Sequence, residues 1–518
     1  MAAGVTPTWR QRVLALDART TVLWLIAVTA LWRLVAAWVI GYGTGEAYYV
    51  ATARSLELSY FDQPPASLWI TWATMALTGT DHPVVLRLPF VALFAVSTWL
   101  VYRIGEKLHS PAAGLFSAVI VNASILFWVS IGSWIQPDAP MITFWLATTL
   151  VLIDIFFGDG GRRPYRSWLL AGLLLGLTFL SKYHAAFLLG GAGLFMLANR
   201  DARRWLAHPA PWLGVLVALA VFSPVIVWNA QNGWASFGFQ GGRALAESGL
   251  RWGGLALMIV GQLLYMTPWL AIPALVLGVR ALQAGPEGRY PLATKPGVAA
   301  FFAYSAWPAI VVFTLVALWS DTQFHFHWQA PGYLMLFILM GCWAAELLIS
   351  RPRAVRVWLY GSLGVTALIL TVLMAHAATG FARQIVPGDW EDPTGLQLPW
   401  TEAGAVLERE GAFGADRVFV AGDNWIDCGY VDNQVSGRVP FLCLGDEPRN
   451  LGFIADPSDY LGWNGYMVVT ERDMERALER NAGRFEAVTP IEEVFVHRSG
   501  VAEFGPIQVV YGEGFLGE

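Results

Sequence analysis

Stretches of about 20 consecutive apolar residues recur along this chain, the length at which a helix crosses the hydrocarbon core of a bilayer. They fall near 21–40, 85–104, 112–131, 139–157, 167–198, 211–228, 254–279, 299–318, 328–348 and 356–376. Such a pattern predicts an all-α polytopic membrane protein. Composition agrees: 56% of the 518 residues are hydrophobic and 14% charged, against about 25% charged in soluble domains. Net charge is −5 and no basic tract is present, which argues against nucleic acid as a partner. The block at 21–40 has no small-residue cleavage site after it, so it reads as a retained first helix rather than a signal peptide.

Loop charge sets the expected topology. Arg10, Arg12 and Arg19 precede the first block, and alternate later loops carry Arg103 with Lys107, then Arg162, Arg163 and Arg166. Further on come Arg200, Arg203 and Arg204, then Arg280, Arg289 and Lys295, then Arg351, Arg353 and Arg356. The positive-inside rule places all of these in the cytoplasm and loops 41–84, 132–138, 229–253 and 319–327 outside. Block 167–198 must then cross twice. At 1.5 Å per residue each arm reaches about 24 Å of a ~30 Å core, so a hairpin of two short helices is expected, with Ser181-Lys182-Tyr183 at its tip. The total is about eleven crossings, or about 11–13 membrane helices if short segments in 41–84 are included. The N-terminus is expected inside and the C-terminus outside.

Beyond residue 376 the composition becomes polar. Short strands are predicted near 417–422, 439–445 and 466–470, and amphipathic helices over 401–411 and 471–483. The chain thus divides into a membrane domain, 1–376, and a small α/β domain on the outer face, 377–518. No internal repeat is evident. Of three cysteines, Cys342 reads as a small buried hydrophobe. Cys428 and Cys443 are able to pair if their region lies outside the cytoplasm, which the sequence leaves open.

Ionisable residues at membrane depth cost about 2.5–3.5 kcal/mol each on insertion scales and default to functional hypotheses. The outward loops collect them. Loop 41–84 holds Gly45-Glu46-Ala47-Tyr48-Tyr49 and Ser59-Tyr60-Phe61-Asp62-Gln63-Pro64-Pro65; the next holds Gln136-Pro137-Asp138-Ala139-Pro140. Only three lysines occur, and Lys182 alone lies outside the basic loops. A cation there suits a lipid phosphate, although a snorkelling side chain is the plainer reading. Trp228-Asn229, Gln240 and Arg243 follow, then His325 and His327, which read either as phosphate donors or as features of the aromatic interface. Arg33 and Arg87 are expected to pair with acids that hold the bundle together.

These motifs, with Arg87-Leu88-Pro89 and His327-Trp328-Gln329-Ala330-Pro331, run in order over about 45–335 and resemble the bacterial family 39 and 83 glycosyltransferases. That group includes the aminoarabinose transferases of lipid A and the protein mannosyltransferases. The resemblance implies a GT-C fold, a polyprenyl-phosphate-linked sugar donor, inverting transfer and a site facing outward from a bacterial inner membrane. It implies catalytic acids at Glu46, Asp62 and Asp138, and donor or acceptor contacts at Tyr48, Tyr49, Gln63, Lys182, Tyr183, Gln240, Arg243, His325 and His327. A divalent metal on Asp62 and Asp138 is implied for some members; no organic cofactor is. Two departures stand out: Gly45 replaces the family's usual Asp, and Gln63 its usual His or Lys. The base is then Glu46 or Asp138, or the chemistry is altered.

The expected activity is sugar transfer from the carrier to a hydroxyl or phosphate of a glycolipid, with lipid A or lipopolysaccharide core favoured. The rival readings are a transporter or flippase of a lipid-linked sugar, and a protein O-mannosyltransferase. Transporters often show two related halves; none is visible here.

Overall fold

The computed structural model describes residues 9–245, 249–289, 292, 295–320, 326–386, 392, 394–498 and 501–517. The helices are α1 (Trp9–Val39), α2 (Thr44–Ala53), α3 (Ala66–Thr78), α4 (Pro83–Leu108), α5 (Pro111–Asn122), α6 (Asp138–Phe157), α7 (Pro164–Ser181), α8 (Ala185–Ala198), α9 (Arg200–Arg203) and α10 (Pro209–Gln231). They continue as α11 (Ala235–Leu245), α12 (Trp252–Met266), α13 (Pro268–Ala284), α14 (Val298–Val316), α15 (Ala330–Ser350), α16 (Pro352–Thr379), α17 (Thr401–Arg409), α18 (Trp425–Val435) and α19 (Met474–Asn481). Five strands follow the membrane helices: β1 (Val418–Gly422), β2 (Phe441–Cys443), β3 (Asn464–Val469), β4 (Phe485–Arg498) and β5 (Val501–Phe515).

Among the described residues seven helices are long and apolar enough to cross a membrane, and the pair α12–α13, bent by 108°, brings the number to eight where it is counted as one broken span rather than a re-entrant loop. The shorter apolar helices α5 and α8, with α7, account for the remaining apolar blocks. Block 167–198 is two helices, α7 and α8, broken at Lys182–His184.

Contacts divide the chain into two compact units: Met1–Leu34, Gln63–Ala66 and Pro89–Leu370 form the first, and Val35–Asp62, Ser67–Leu88 and Thr371–Glu518 the second. The sequence suggests one boundary at 376; the structure instead groups most of loop 41–84 with the C-terminal residues. The reason is local. Helix α2 is too short to span a bilayer and packs along α18.

The first unit is a helical bundle around α15, in which every residue from Ala330 to Cys342 is buried. A helix apolar on all sides belongs in a bundle's interior. Around it α5, α13 and α14 pack directly, while α6, α7 and α10 form a second group of neighbours. Lipid tails are as apolar as leucine, so membrane helices associate through close backbone approach at small residues. Gly172 of α7 and Gly214 of α10 do this: a Cβ on Gly172 would lie 2.1 Å from the Gly214 carbonyl oxygen.

The second unit holds a five-stranded sheet in the order β2-β1-β3-β5-β4. Strand β1 pairs parallel with β2 and β3, and β5 antiparallel with β3 and β4. Side chains alternate between faces along each strand. Val418, Val420, Tyr466 and Val468 therefore pack under α17 and α18 with Trp400, Leu407 and Val431. Phe419, Ala421, Met467 and Val469 pack on the opposite face with Ala477 of α19 and Phe485. Covering both faces makes β1 a continuous apolar run. Cys428 of α18 and Cys443 of β2 form a disulfide.

Candidate functional site

In the first unit, α6 and α7 are joined by a short connection and pack along one another, so the start of α6 meets the end of α7. Asp138 is the first residue of α6 and Lys182 the residue that ends α7. A helix N-terminus carries partial positive charge and a C-terminus partial negative charge. Each ionised group thus sits at the helix end that favours it, and Lys182 Nζ donates to Asp138 Oδ2 at 2.7 Å. Both side chains are buried, 3% and 1% exposed. Asp138 Oδ1 has no hydrogen-bond partner among the described residues. His327 Nε2 stands 3.8 Å from the same Asp138 Oδ2.

Lys182 also lines a cavity of about 310 Å³, shared with Gln63, Tyr183, His184, Gln240, Arg243 and Trp328 and closed on its apolar side by Phe187, Val312 and Phe313. Helix α11 brings two of these residues. Gln240 and Arg243 are three apart and so share one face of the helix. That helix is fixed at its start: Asn229 Oδ1 accepts from the Phe237 amide at 3.2 Å, and the Tyr183 and Ser236 hydroxyls are bonded at 2.8 Å. The Arg243 guanidinium lies over the rings of Trp328 and Phe239, at 5.0 and 5.3 Å. Aromatic faces hold a cation in place without neutralising it. Seven residues singled out in the sequence are therefore in this unit: Gln63, Asp138, Lys182, Tyr183, Gln240, Arg243 and His327. His325 lies outside the described residues.

His184 escaped the sequence reading. Its ring stacks on Phe313 at 4.9 Å and its Nε2 is buried without a partner among the described residues. The signal was present, since it directly follows Lys182-Tyr183 in the break between two apolar arms.

The remaining acids belong to the second unit. Glu46 forms a buried two-point ion pair with Arg87, 2.9 Å to Nε and 2.5 Å to Nη2, and accepts from the Gly43 amide at 3.2 Å. Arg87 further donates to the carbonyls of Ile40 and Gly41, each at 2.7 Å. This carboxylate fastens α2 to α4 and to the chain entering α2. Asp62 lies 3.7 Å from Arg449 Nη1, whose guanidinium stacks on Trp425 at 3.8 Å. Tyr48 is buried, with its hydroxyl accepting from the Asn450 amide at 3.0 Å; Tyr49 packs against it at 5.6 Å between ring centroids. Arg449 and Asn450 were not evident from sequence, because they lie in a polar segment with no motif of its own.

Arg87 pairs with an acid as the sequence suggests; Arg33 meets none among the described residues. Its buried guanidinium is sandwiched between Trp128 at 3.8 Å and Phe94 at 4.3 Å, so aromatic faces rather than a carboxylate accommodate the charge.

The donor set does not fit the divalent ion implied by resemblance. Asp138 and Asp62 each face a cation, Lys182 and Arg449 respectively. Among the described residues no group of three or more His, Cys, Asp or Glu side chains is placed to hold a metal.

Comparison with known proteins extends this picture. Residues 62–228 match the dolichyl-phosphate-mannose-protein mannosyltransferase family. The lipid A galacturonosyltransferase RgtD of Rhizobium johnstonii is 27% identical over 188 residues, 36% of this chain and 38% of that protein. The undecaprenyl phosphate-α-4-amino-4-deoxy-L-arabinose arabinosyl transferase of Pseudomonas paraeruginosa is 31% identical over 172 residues, 33% of this chain and 31% of its own. The chain thus spans about a third of the length of these relatives. Over most of its length it has the GT-C fold of ArnT from Cupriavidus metallidurans, solved bound to undecaprenyl phosphate. That match has a TM-score of 0.61 at 15% identity and covers 94% of this chain and 97% of the other.

Proposed function

We propose that this GT-C chain is a glycosyltransferase of the bacterial inner membrane that moves a sugar from a polyprenyl-phosphate carrier to a glycolipid acceptor, with lipid A or lipopolysaccharide core favoured. The observation that carries the reading is the cavity holding Lys182 and Arg243, backed by the buried Asp138 carboxylate. Its apolar side, Phe187, Val312 and Phe313, suits an isoprenoid; its cationic side suits the phosphate. The disulfide in the second unit supports a periplasmic position for that unit, since such bonds persist in oxidising compartments.

In this reading the carrier phosphate lies against Arg243 and Lys182. The acceptor oxygen attacks the anomeric carbon from the face opposite the phosphate. The bond from that carbon to the phosphate oxygen breaks, and its electron pair leaves with the carrier. Fixed cations in a water-poor cavity stabilise the charge that develops there. The acceptor's proton passes to a carboxylate, a contribution of about 10²–10⁴-fold. We assign it to Asp138, whose Oδ1 is available, rather than to Glu46, which is engaged by Arg87 and the Gly43 amide. His327, 3.8 Å from the Asp138 carboxylate, assists at the phosphate. No step runs through a metal.

The charged residues lining the cavity are cations, which favours a neutral or acidic sugar over an amino sugar. The test uses the purified full chain with a radiolabelled polyprenyl-phosphate sugar. Release of bare carrier phosphate on adding acceptor is expected, and its loss in Lys182→Ala. Movement of the intact lipid across a vesicle without release would replace this reading with a transporter.

A further inference from the structure

We propose that the first unit carries a second lipid site, an apolar cavity between α6, α7, α8 and α10 that takes an acyl chain of an anionic phospholipid with its headgroup on Arg166 and Arg204. The cavity encloses about 260 Å³, below the ~300–1,000 Å³ of pockets that hold whole small molecules, and so suits a chain rather than a headgroup. Leu152, Trp168, Leu175, Leu188, Gly193 and Trp212 form its walls. It shares no lining residue with the Lys182 cavity.

Its position points to the bilayer as the source of its occupant. Trp168 is the fifth residue of α7 and Trp212 the fourth of α10, while Leu206 lies in the turn before α10. The cavity therefore starts at the end of the bundle where the connections carry arginines. From Trp168 to Leu175 it reaches about 10 Å along α7, into the acyl region. Its wall residues Leu189 and Trp212 are 40% and 56% exposed, so a chain enters sideways from the membrane.

The charges at its mouth are sorted. Arg162 is paired with Asp159 and Arg203 donates to the Leu197 carbonyl. Arg166 and Arg204 are exposed and make no ion pair with an acid among the described residues. Arg204 is held by the ring of Trp205 at 5.5 Å, which meets Trp168 edge-on at 5.6 Å. One aromatic layer thus separates that cation from the cavity wall. The positive-inside rule places this end in the cytoplasmic leaflet, whose anionic lipids attract juxtamembrane arginines.

The test titrates the full chain in detergent with dioleoyl phosphatidylglycerol and, separately, with dioleoyl phosphatidylcholine, reading the melting temperature. Phosphatidylglycerol is expected to raise Tm by about 3 °C or more and phosphatidylcholine by much less. Gly193→Leu fills the cavity where a Cβ meets no atom within 4 Å, and should abolish the response. Arg166→Gln with Arg204→Gln should reduce it to the phosphatidylcholine level even if the glycine variant fails to fold. Equal responses to the two lipids, or an undiminished response in the arginine double variant, would overturn the site. So would displacement of phosphatidylglycerol by undecaprenyl phosphate, which would make the cavity part of the donor's path. None of these outcomes depends on the transfer reaction.

Discussion

Lys182 and Asp138 are 44 positions apart in sequence, and a 2.7 Å hydrogen bond joins them in the interior of the bundle. The C-terminal end of one helix presents the ammonium group and the N-terminal end of its neighbour presents the carboxylate. In a low-dielectric interior neither charge is tolerated without the other, so position, protonation and packing of the two residues are linked.

That linkage separates structural from chemical roles. Asp138→Asn or Lys182→Met alone leaves one buried charge unpaired and should cost about 3–5 kcal/mol, seen as a lower melting temperature in detergent. The double variant should recover most of that stability and none of the transfer activity. Activity in the stable double variant would remove both residues from the chemistry.

Glu46 is expected to behave as a fastener. Glu46→Gln and Arg87→Met should lower the yield of folded chain, again by about 3–5 kcal/mol for a broken buried pair. Carrier phosphate released per folded molecule should stay within a few-fold of wild type. A loss of about 10²-fold or more per folded molecule would return the base role to Glu46.

The Cys428–Cys443 bridge closes a loop with a sequence separation of 15, for which chain-entropy arguments give about 3 kcal/mol. Cys428→Ser with Cys443→Ser should lower Tm by a corresponding amount. Reductant should lower the Tm of wild type and leave that of the double variant unchanged, as scanning calorimetry would show.

Asp427 gives the second unit a pH dependence. Burial pushes its carboxyl up to about 6, against hydrogen bonds from the Thr470 amide and hydroxyl that favour the charged form. The unfolded chain releases this proton near the ordinary value of 3.8. Its contribution to stability is therefore complete below that value and lost as pH rises through about 6. Unfolding of the full chain between pH 4 and 7 should show this decline, and Asp427→Asn should flatten it. An identical profile in the variant would assign the dependence to another group.

Several parts of this architecture were readable because they rest on local signals. The apolar blocks gave the membrane helices, and three lysines were few enough to make Lys182 conspicuous. The predicted strands 417–422 and 466–470 cover most of β1 and β3, whose apolar runs are short and bounded. Helix α18 and the long β4–β5 pair were not foreseen. Trp425–Val435 mixes buried Asp427 and Asp432 with apolar residues, and the exposed polar residues of β4 blur its alternation.

By itself, then, the amino-acid sequence determined that this chain spans a membrane many times and which polar residues stand where they are costly. Hydropathy and charge act residue by residue, and both can be read along a line. What each polar group does was decided only by the tertiary structure. Glu46 and Asp138 are both acids in outward loops, yet one meets a guanidinium 41 positions away and the other an ammonium 44 positions away. Which cation a buried carboxylate meets depends on how helices pack side by side, and that is a property of three dimensions.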